Sequence, residues 1–198
     1  MKILGINCSP RINSTTGYCL SKALEKAGQN KGIEIERIDL SGKAFEGCKA
    51  CDYCRSSFDC SQNDDFRNEI FPLLADENLK GLIIATPVYF GSMSAQCKAF
   101  IDRTLPFRRN GFILKDKVVG VIAVGGSRNG GQEITIQSVQ AAFLIHDCII
   151  VSDGFNTAHF GGMCWQRHPG GIQNDDTGLK TVENLGQKVA ELVLKINK

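Results

Sequence analysis

Apolar and polar positions along this chain sort into two kinds of segment. Residues 2–7 (KILGIN), 79–85 (LKGLIIA), 117–124 (KVVGVIAV) and 148–152 (CIIVS) are short and almost wholly apolar, while 33–40 (IEIERIDL) alternates. Between them, 16–30, 64–75, 94–105, 133–145 and 177–196 carry apolar residues at helical spacing. A side chain returns to one face every second residue in a strand and every third or fourth in a helix, so the two patterns separate cleanly. Strands apolar on both faces, each followed by a helix, predict a parallel sheet covered on both sides. Five such units predict an α/β fold: a doubly wound, five-stranded parallel sheet in the order 2-1-3-4-5, the flavodoxin-like arrangement.

Two segments interrupt the alternation: 45–63, after the second strand, and 155–175 (FNTAHFGGMCWQRHPGGIQND), before the last helix. Long connections without regular structure are usually functional or disordered. Ligands of such sheets bind outside the carboxyl ends of the strands, so the loops after strands one, three and four should share one site. The first, CSPRINSTT, offers Ser9, Arg11, Asn13, Ser14, Thr15 and Thr16 just ahead of a helix. Hydroxyls, a cation and a helix N-terminus suit a single terminal phosphate, though the same residues also read as a polar turn with a helix cap. It is neither G-x-G-x-x-G nor a P-loop with its lysine, which removes the dinucleotide and triphosphate fingerprints. The loop after strand three offers Pro87, Val88, Tyr89, Phe90 and Gly91, a wall for a flat ligand or ordinary packing. The loop after strand four, GGSRNGGQE, brings Gly125, Gly126 and Gly131, whose missing side chains let backbone N–H groups approach a ligand.

The chemistry is densest in GCKACDYCRSSFDC, where Cys48, Cys51, Cys54 and Cys60 follow one another at x2, x2 and x5. A chain of 198 residues is one domain by length, 1–198, with 45–63 a loop inside it, and it can bury a core without disulfides. Its N-terminus is too short and too soon polar for a signal peptide. No apolar run approaches the roughly 18 residues of a membrane span. The expected setting is therefore cytoplasmic, where thiols stay reduced and clustered cysteines point to metal or redox chemistry. Lys+Arg 23 against Asp+Glu 21, a net +2, gives no basic face for nucleic acid, and the Phe107-Arg108-Arg109 stretch reads as a solvated turn.

The spacing is close to the ferredoxin run C-x2-C-x2-C with a longer last spacer, which favours an iron–sulfur cluster. A compact zinc knuckle and thiol redox are the alternatives. Of the nine cysteines, Cys8, Cys19, Cys97 and Cys148 read as small buried hydrophobes. Cys164, between His159 and His168, lacks the rest of a ligand set, and His146 reads as a packing or capping residue.

SPRINS after the first strand and TPVYFGS after the third resemble the FMN-reductase branch of flavodoxin-like proteins. With CKACDYCRSSFDC, VGGSRNGGQE and HFGGMCW, nearly the whole chain is similar to the iron–sulfur flavoprotein family. That resemblance implies FMN, its phosphate held by Ser9, Arg11, Asn13, Ser14 and Thr16. Pro87, Val88, Tyr89, Phe90 and Gly91 would line the ring, with Gly125, Gly126 and Gly131 nearby. It implies a 4Fe-4S cluster on Cys48, Cys51, Cys54 and Cys60, a ferredoxin or similar donor, and a homodimer or homotetramer that brings cluster and flavin together.

The expected protein is an electron-transfer oxidoreductase. A one-electron donor would feed the cluster, and FMN would pass electrons to an acceptor such as dioxygen or peroxide. The hard chemistry lies in the cofactors, and no catalytic side chain is nominated. The alternatives are an NAD(P)H-dependent FMN or quinone reductase with zinc in the cysteine loop, and a non-catalytic module built on a zinc knuckle.

Overall fold

The computed structural model describes residues 1–197. Strands β1 (Lys2–Asn7), β2 (Glu34–Asp39), β3 (Leu79–Pro87), β4 (Val118–Gly125) and β5 (Ile149–Ile150) form a parallel sheet in the order β2-β1-β3-β4-β5. The inner strands are buried along both faces, and every β4 side chain is buried, which is why those segments lack alternation. β2 lies at an edge and leaves Glu34, Ile35 and Arg37 exposed, which is why this strand alone carries so many charged residues. Helices α1 (Thr15–Gly28) and α6 (Asp176–Ile196) pack on one face around Leu20, Leu24, Ile83, Leu185 and Val189. The other face is covered by α2 (Phe71–Leu74), α3 (Ala95–Arg103), α4 (Leu105–Arg109) and α5 (Gln132–Leu144), around Phe66, Phe100, Phe107, Val119 and Phe143.

Three segments depart from the pattern. The fifth strand is split: β5 pairs with Val118 and Val119, and β6 (Gly162–Trp165) continues alongside Ile122–Gly125. The glycine-rich stretch 155–175 is thus not one long loop, because its middle completes the sheet. The helix expected over 64–75 opens instead as a π-turn, Phe66–Ile70, before α2. Pro72 has no N–H for the carbonyl four residues back, and the turn widens so that the Phe71 N–H reaches Phe66 O. The helix expected over 94–105 breaks into α3 and α4 at Thr104, one residue before the Leu105-Pro106 start of the second piece. None of the described helices is long and apolar enough to cross a membrane.

Candidate functional site: a polar cradle and a four-thiol pocket

The loop after β1 is shaped by side chains that satisfy its own backbone. Cys8 N–H continues the sheet to Ala85 O at 2.8 Å, Ser9 N–H donates to Asn7 Oδ1 at 3.2 Å, and Arg11 N–H to Ser9 Oγ at 3.2 Å. Ser14 caps α1 by accepting from Gly17 N–H at 3.0 Å. Buried Asn7 also donates to the Asp39 carboxylate, which Arg37 clasps at 2.9 and 2.6 Å. Partial burial works to raise the Asp39 pKa, but hydrogen bonds from Arg37 and Asn7 outweigh it and hold it below the ordinary carboxylate range.

The loop after β3 is tied to the first by Ser94, whose hydroxyl donates to Cys8 O at 2.7 Å and accepts from Cys97 N–H at 3.2 Å. Its tip is a two-residue turn closed by Tyr89 and Ser92, with Phe90 at φ 51° and Gly91 at φ 71°. Phe90 stands fully in solvent. The loop after β4 meets this turn where Gly131, at φ 91°, faces Gly91: a Cβ there would lie 3.1 Å from the Gly91 Cα. Gln132 braces the loop from Ser127 O at 2.7 Å, Trp165 Nε1 donates to Gly126 O at 3.1 Å, and Arg128 pairs with buried Asp175.

These loops enclose a cavity of about 190 Å³. Its polar end is lined by Ser9, Arg11, Ser14 and Thr16, and its flatter side by Pro87, Val88, Tyr89 and Gly126. Asn13, Phe90, Gly91, Gly125 and Gly131 shape the surrounding loops without lining it. Thr15 of the same hydroxyl-rich loop also lines it, and sequence reasoning missed Val124, Gln166 and Arg167, which complete the lining. The last two follow β6, a strand that the period did not reveal. A Cβ added at Gly126 would meet nothing within 4 Å, so this glycine opens directly onto empty space. A cationic, hydroxyl-rich end with no carboxylate, joined to a flat apolar side, fits a phosphate-bearing planar coenzyme such as FMN.

The second feature lies in the loop that follows β2. All four motif cysteines line one pocket, together with Arg103 and Arg109. Cys48 and Cys51 are exposed, Cys60 is half-buried and Cys54 is buried. Ala50 at φ 52° and Asp52 at φ 62° turn the chain back on itself between them. Each of three sulfurs has a polar neighbour: Ala50 N–H to Cys48 at 3.4 Å, the Ser61 hydroxyl to Cys51 at 3.0 Å, and Arg109 Nη1 to Cys54 at 3.3 Å. The Ser61 hydrogen bond, then the Tyr53 N–H, lower the Cys51 pKa. Among the described residues, no three His, Cys, Asp or Glu side chains form a single-ion metal site. The donor set, four thiols without histidine and with N–H groups aimed at sulfur, fits an iron–sulfur cluster.

Arg103 holds this loop from beneath. It is 1% exposed, binds Asp64 at 2.6 and 2.9 Å, and reaches Glu46 O at 3.0 Å and Gln62 O at 3.4 Å, on either side of the cysteines. Phe58 packs with Phe71 and Phe107 under the loop, and Asn110 Nδ2 donates to Cys54 O at 3.1 Å. The 107–109 stretch is therefore a helical turn under the cysteines, with Phe107 in the core, and not a solvated turn. A signal for Arg103 was present: it occupies the apolar stripe Cys97, Phe100, Arg103 of α3.

The other candidates are structural. Cys8, Cys19, Cys97, Cys148 and Cys164 are all buried, and burial pushes the Cys148 thiol up to about 12. Buried His146 meets the Thr104 hydroxyl at 2.8 Å where α3 gives way to α4, and burial, then the charge of Arg108, push its pKa down to about 4.

Sheet order and loop placement define a flavodoxin-like protein. Comparison with known proteins makes the class specific. The family model described as NADPH-dependent FMN reductase matches residues 1–162. An iron–sulfur flavoprotein of Methanocaldococcus jannaschii is 45% identical over 198 residues, covering all of both chains. One of Methanosarcina thermophila is 39% identical over all of this chain and 98% of its own. A crystal structure of a WrbA-like flavodoxin from Agrobacterium tumefaciens superposes with a TM-score of 0.64 at 20% identity, over 98% of this chain and 97% of its own. A flavone reductase gives 0.73 at 22% identity over all of this chain and 64% of its own. The chain belongs to the iron–sulfur flavoproteins, within the FMN-reductase family.

Proposed function

We propose that this oxidoreductase carries FMN in the cradle and a 4Fe-4S cluster on Cys48, Cys51, Cys54 and Cys60, and passes electrons between a one-electron donor and an acceptor. The observation that carries the reading is the presence of two differently built pockets in one chain, one polar and flat, the other ringed by four thiols. When bound, a flavin exchanges electrons in pairs or singly and a cluster exchanges them singly, so together they couple the two kinds of traffic. The protein's part is to position them. Ser9, Arg11, Ser14, Thr16 and the backbone at the start of α1 hold the phosphate. Pro87, Val88, Tyr89 and Gly126 set the plane of the ring. Exposed Cys48 and Cys51 make the cysteine loop the entry side for a ferredoxin-type donor; the flavin then serves a small acceptor such as dioxygen or peroxide.

The outer surface of α5 supports a homodimer or a larger homo-oligomer. The helix buries Ile136, Val139 and Phe143, yet Ile134 is 58% exposed, and Leu144 and the following Ile145 are each 60% exposed. Large apolar side chains left exposed at both ends of one helix, with exposed Glu133 and Gln137 among them, suit a face that meets a second surface. Its N-terminus adjoins Gly131 of the flavin-side loop, and Ile145 shares a groove with Cys48 and Ala50. Two copies joined antiparallel along α5 would set the flavin end of one against the cysteine end of the other.

Anaerobic purification with flavin, iron, sulfide and zinc quantified tests the reading. The expected result is FMN with about four iron and four sulfide per chain, and a broad absorption beyond the flavin bands that bleaches on reduction. Flavin with stoichiometric zinc and no sulfide would replace it by a zinc-bearing NAD(P)H-dependent FMN or quinone reductase. A colourless protein would leave an interaction module.

A further inference from the structure

The four thiols share their pocket with two guanidiniums, and the hydrogen bonds of the bare chain leave those cations incompletely used. Arg109 extends from α4, donates through Nη1 to Cys54 Sγ at 3.3 Å, and pairs through Nη2 with Asp52 at 2.9 Å. Arg103 commits Nη1 and Nη2 to Asp64 and to two loop carbonyls. Its Nε, buried in the wall that also holds Cys60, has no partner. Buried donors are rarely left unpaired, and a guanidinium is placed where planar recognition of negative charge matters. Sulfurs that carry charge would give both cations a counterpart.

We propose that Arg103 and Arg109 are the electrostatic partners of the cluster, Arg109 through Cys54 and Arg103 through Cys60, and that they set its reduction potential. The inference rests on the reading of the cysteine loop as the seat of a 4Fe-4S cluster. One-electron reduction adds a negative charge to the cluster and its thiolates without making or breaking a bond. Fixed positive charge beside the sulfurs favours the reduced form, and the effect is strongest where burial excludes water, as at Cys54 and Arg103. Hydrogen bonds to sulfur and net charge are two of the levers that set cluster potentials. Asp52 is the counterweight, a carboxylate bound to the same guanidinium as Cys54.

The test is anaerobic redox titration with dithionite of the wild type, Arg109→Gln, Arg109→Lys and Asp52→Asn, after iron and sulfide have been quantified in each. The reduced cluster is followed by electron paramagnetic resonance. Arg109→Gln should lower the reduced-to-oxidised ratio at least tenfold at the potential where the wild type is half reduced, about 59 mV for one electron. Arg109→Lys, keeping the charge without the planar fork, should fall between. Asp52→Asn, with a side chain that tolerates the left-handed backbone there (φ 62°), should shift the potential the opposite way. A purely structural role predicts no such opposition of sign. If Arg109→Gln cannot retain iron, Arg109→Lys and Asp52→Asn still have to move in opposite directions. Wild-type potentials in the iron-loaded variants, or shifts of one sign in all of them, overturn the inference alone. A wild type without iron and sulfide overturns the reading of the loop and this inference with it.

Discussion

The polar cradle and the cysteine pocket flank the same sheet, yet they are held in different ways. The cradle is framed by backbone: a strand end, a helix cap, a two-residue turn and a glycine-to-glycine contact fix it before any ligand arrives. The cysteine loop has almost no regular structure, and side chains of α3, α4 and Asn110 suspend it through Arg103, Arg109 and Asn110. The first is pre-organised. The second depends on a few long side chains, and on whatever its thiols bind, because a metal centre that forms only in the folded state contributes its binding energy to folding.

The largest expected effect breaks the suspended side. Arg103→Ala strands Asp64 and frees the carbonyls of Glu46 and Gln62, and should cost about 3 kcal/mol, as the removal of one member of a buried pair does. Urea unfolding under anaerobic conditions reads this, and a midpoint unchanged from wild type would show that the loop does not hang on this residue.

On the framed side, the same comparison predicts loss of ligand without loss of fold. Gly126→Val places its side chain in open space, so flavin affinity should fall at least tenfold, about 1.4 kcal/mol. The apoprotein should stay within about 0.5 kcal/mol of wild type. Flavin titration with parallel thermal unfolding separates the two, and a variant that binds FMN normally would place the ring elsewhere.

The smallest effect concerns the seam that carries the cysteine loop. Buried His146 is neutral in the folded protein down to about pH 4, whereas the unfolded chain protonates it near 6.5. The folded pKa is depressed for a group that gains charge on protonation. Its contribution is therefore complete above pH 6.5 and declines as the pH falls toward 4. Wild-type stability should drop across that window more steeply than that of His146→Gln, and parallel profiles would acquit the histidine.

Much of this arrangement was legible in the chain. The apolar runs and helical spacing gave the sheet order, and the hydroxyl-rich and glycine-rich loops fell where strand ends put them. What escaped has local causes that periodicity does not encode. β6 is only four residues long and lies among glycines, so neither length nor alternation marked it, and with it Gln166 and Arg167 were missed. The π-turn at Phe66–Ile70 follows from Pro72, a residue visible in the sequence whose consequence depended on the strand and helix around it.

By itself the sequence determined most of the strands and helices, that the sheet is parallel, and that a tight set of four thiols points to redox or metal chemistry. These are properties of neighbouring residues, since side-chain period and cysteine spacing act over a few positions. Only the tertiary structure decided which charges stand beside the sulfurs. Arg109 meets Cys54 across 55 residues of chain and Arg103 reaches Glu46 across 57, and such pairings are set by how α3 and α4 pack, not by any local pattern.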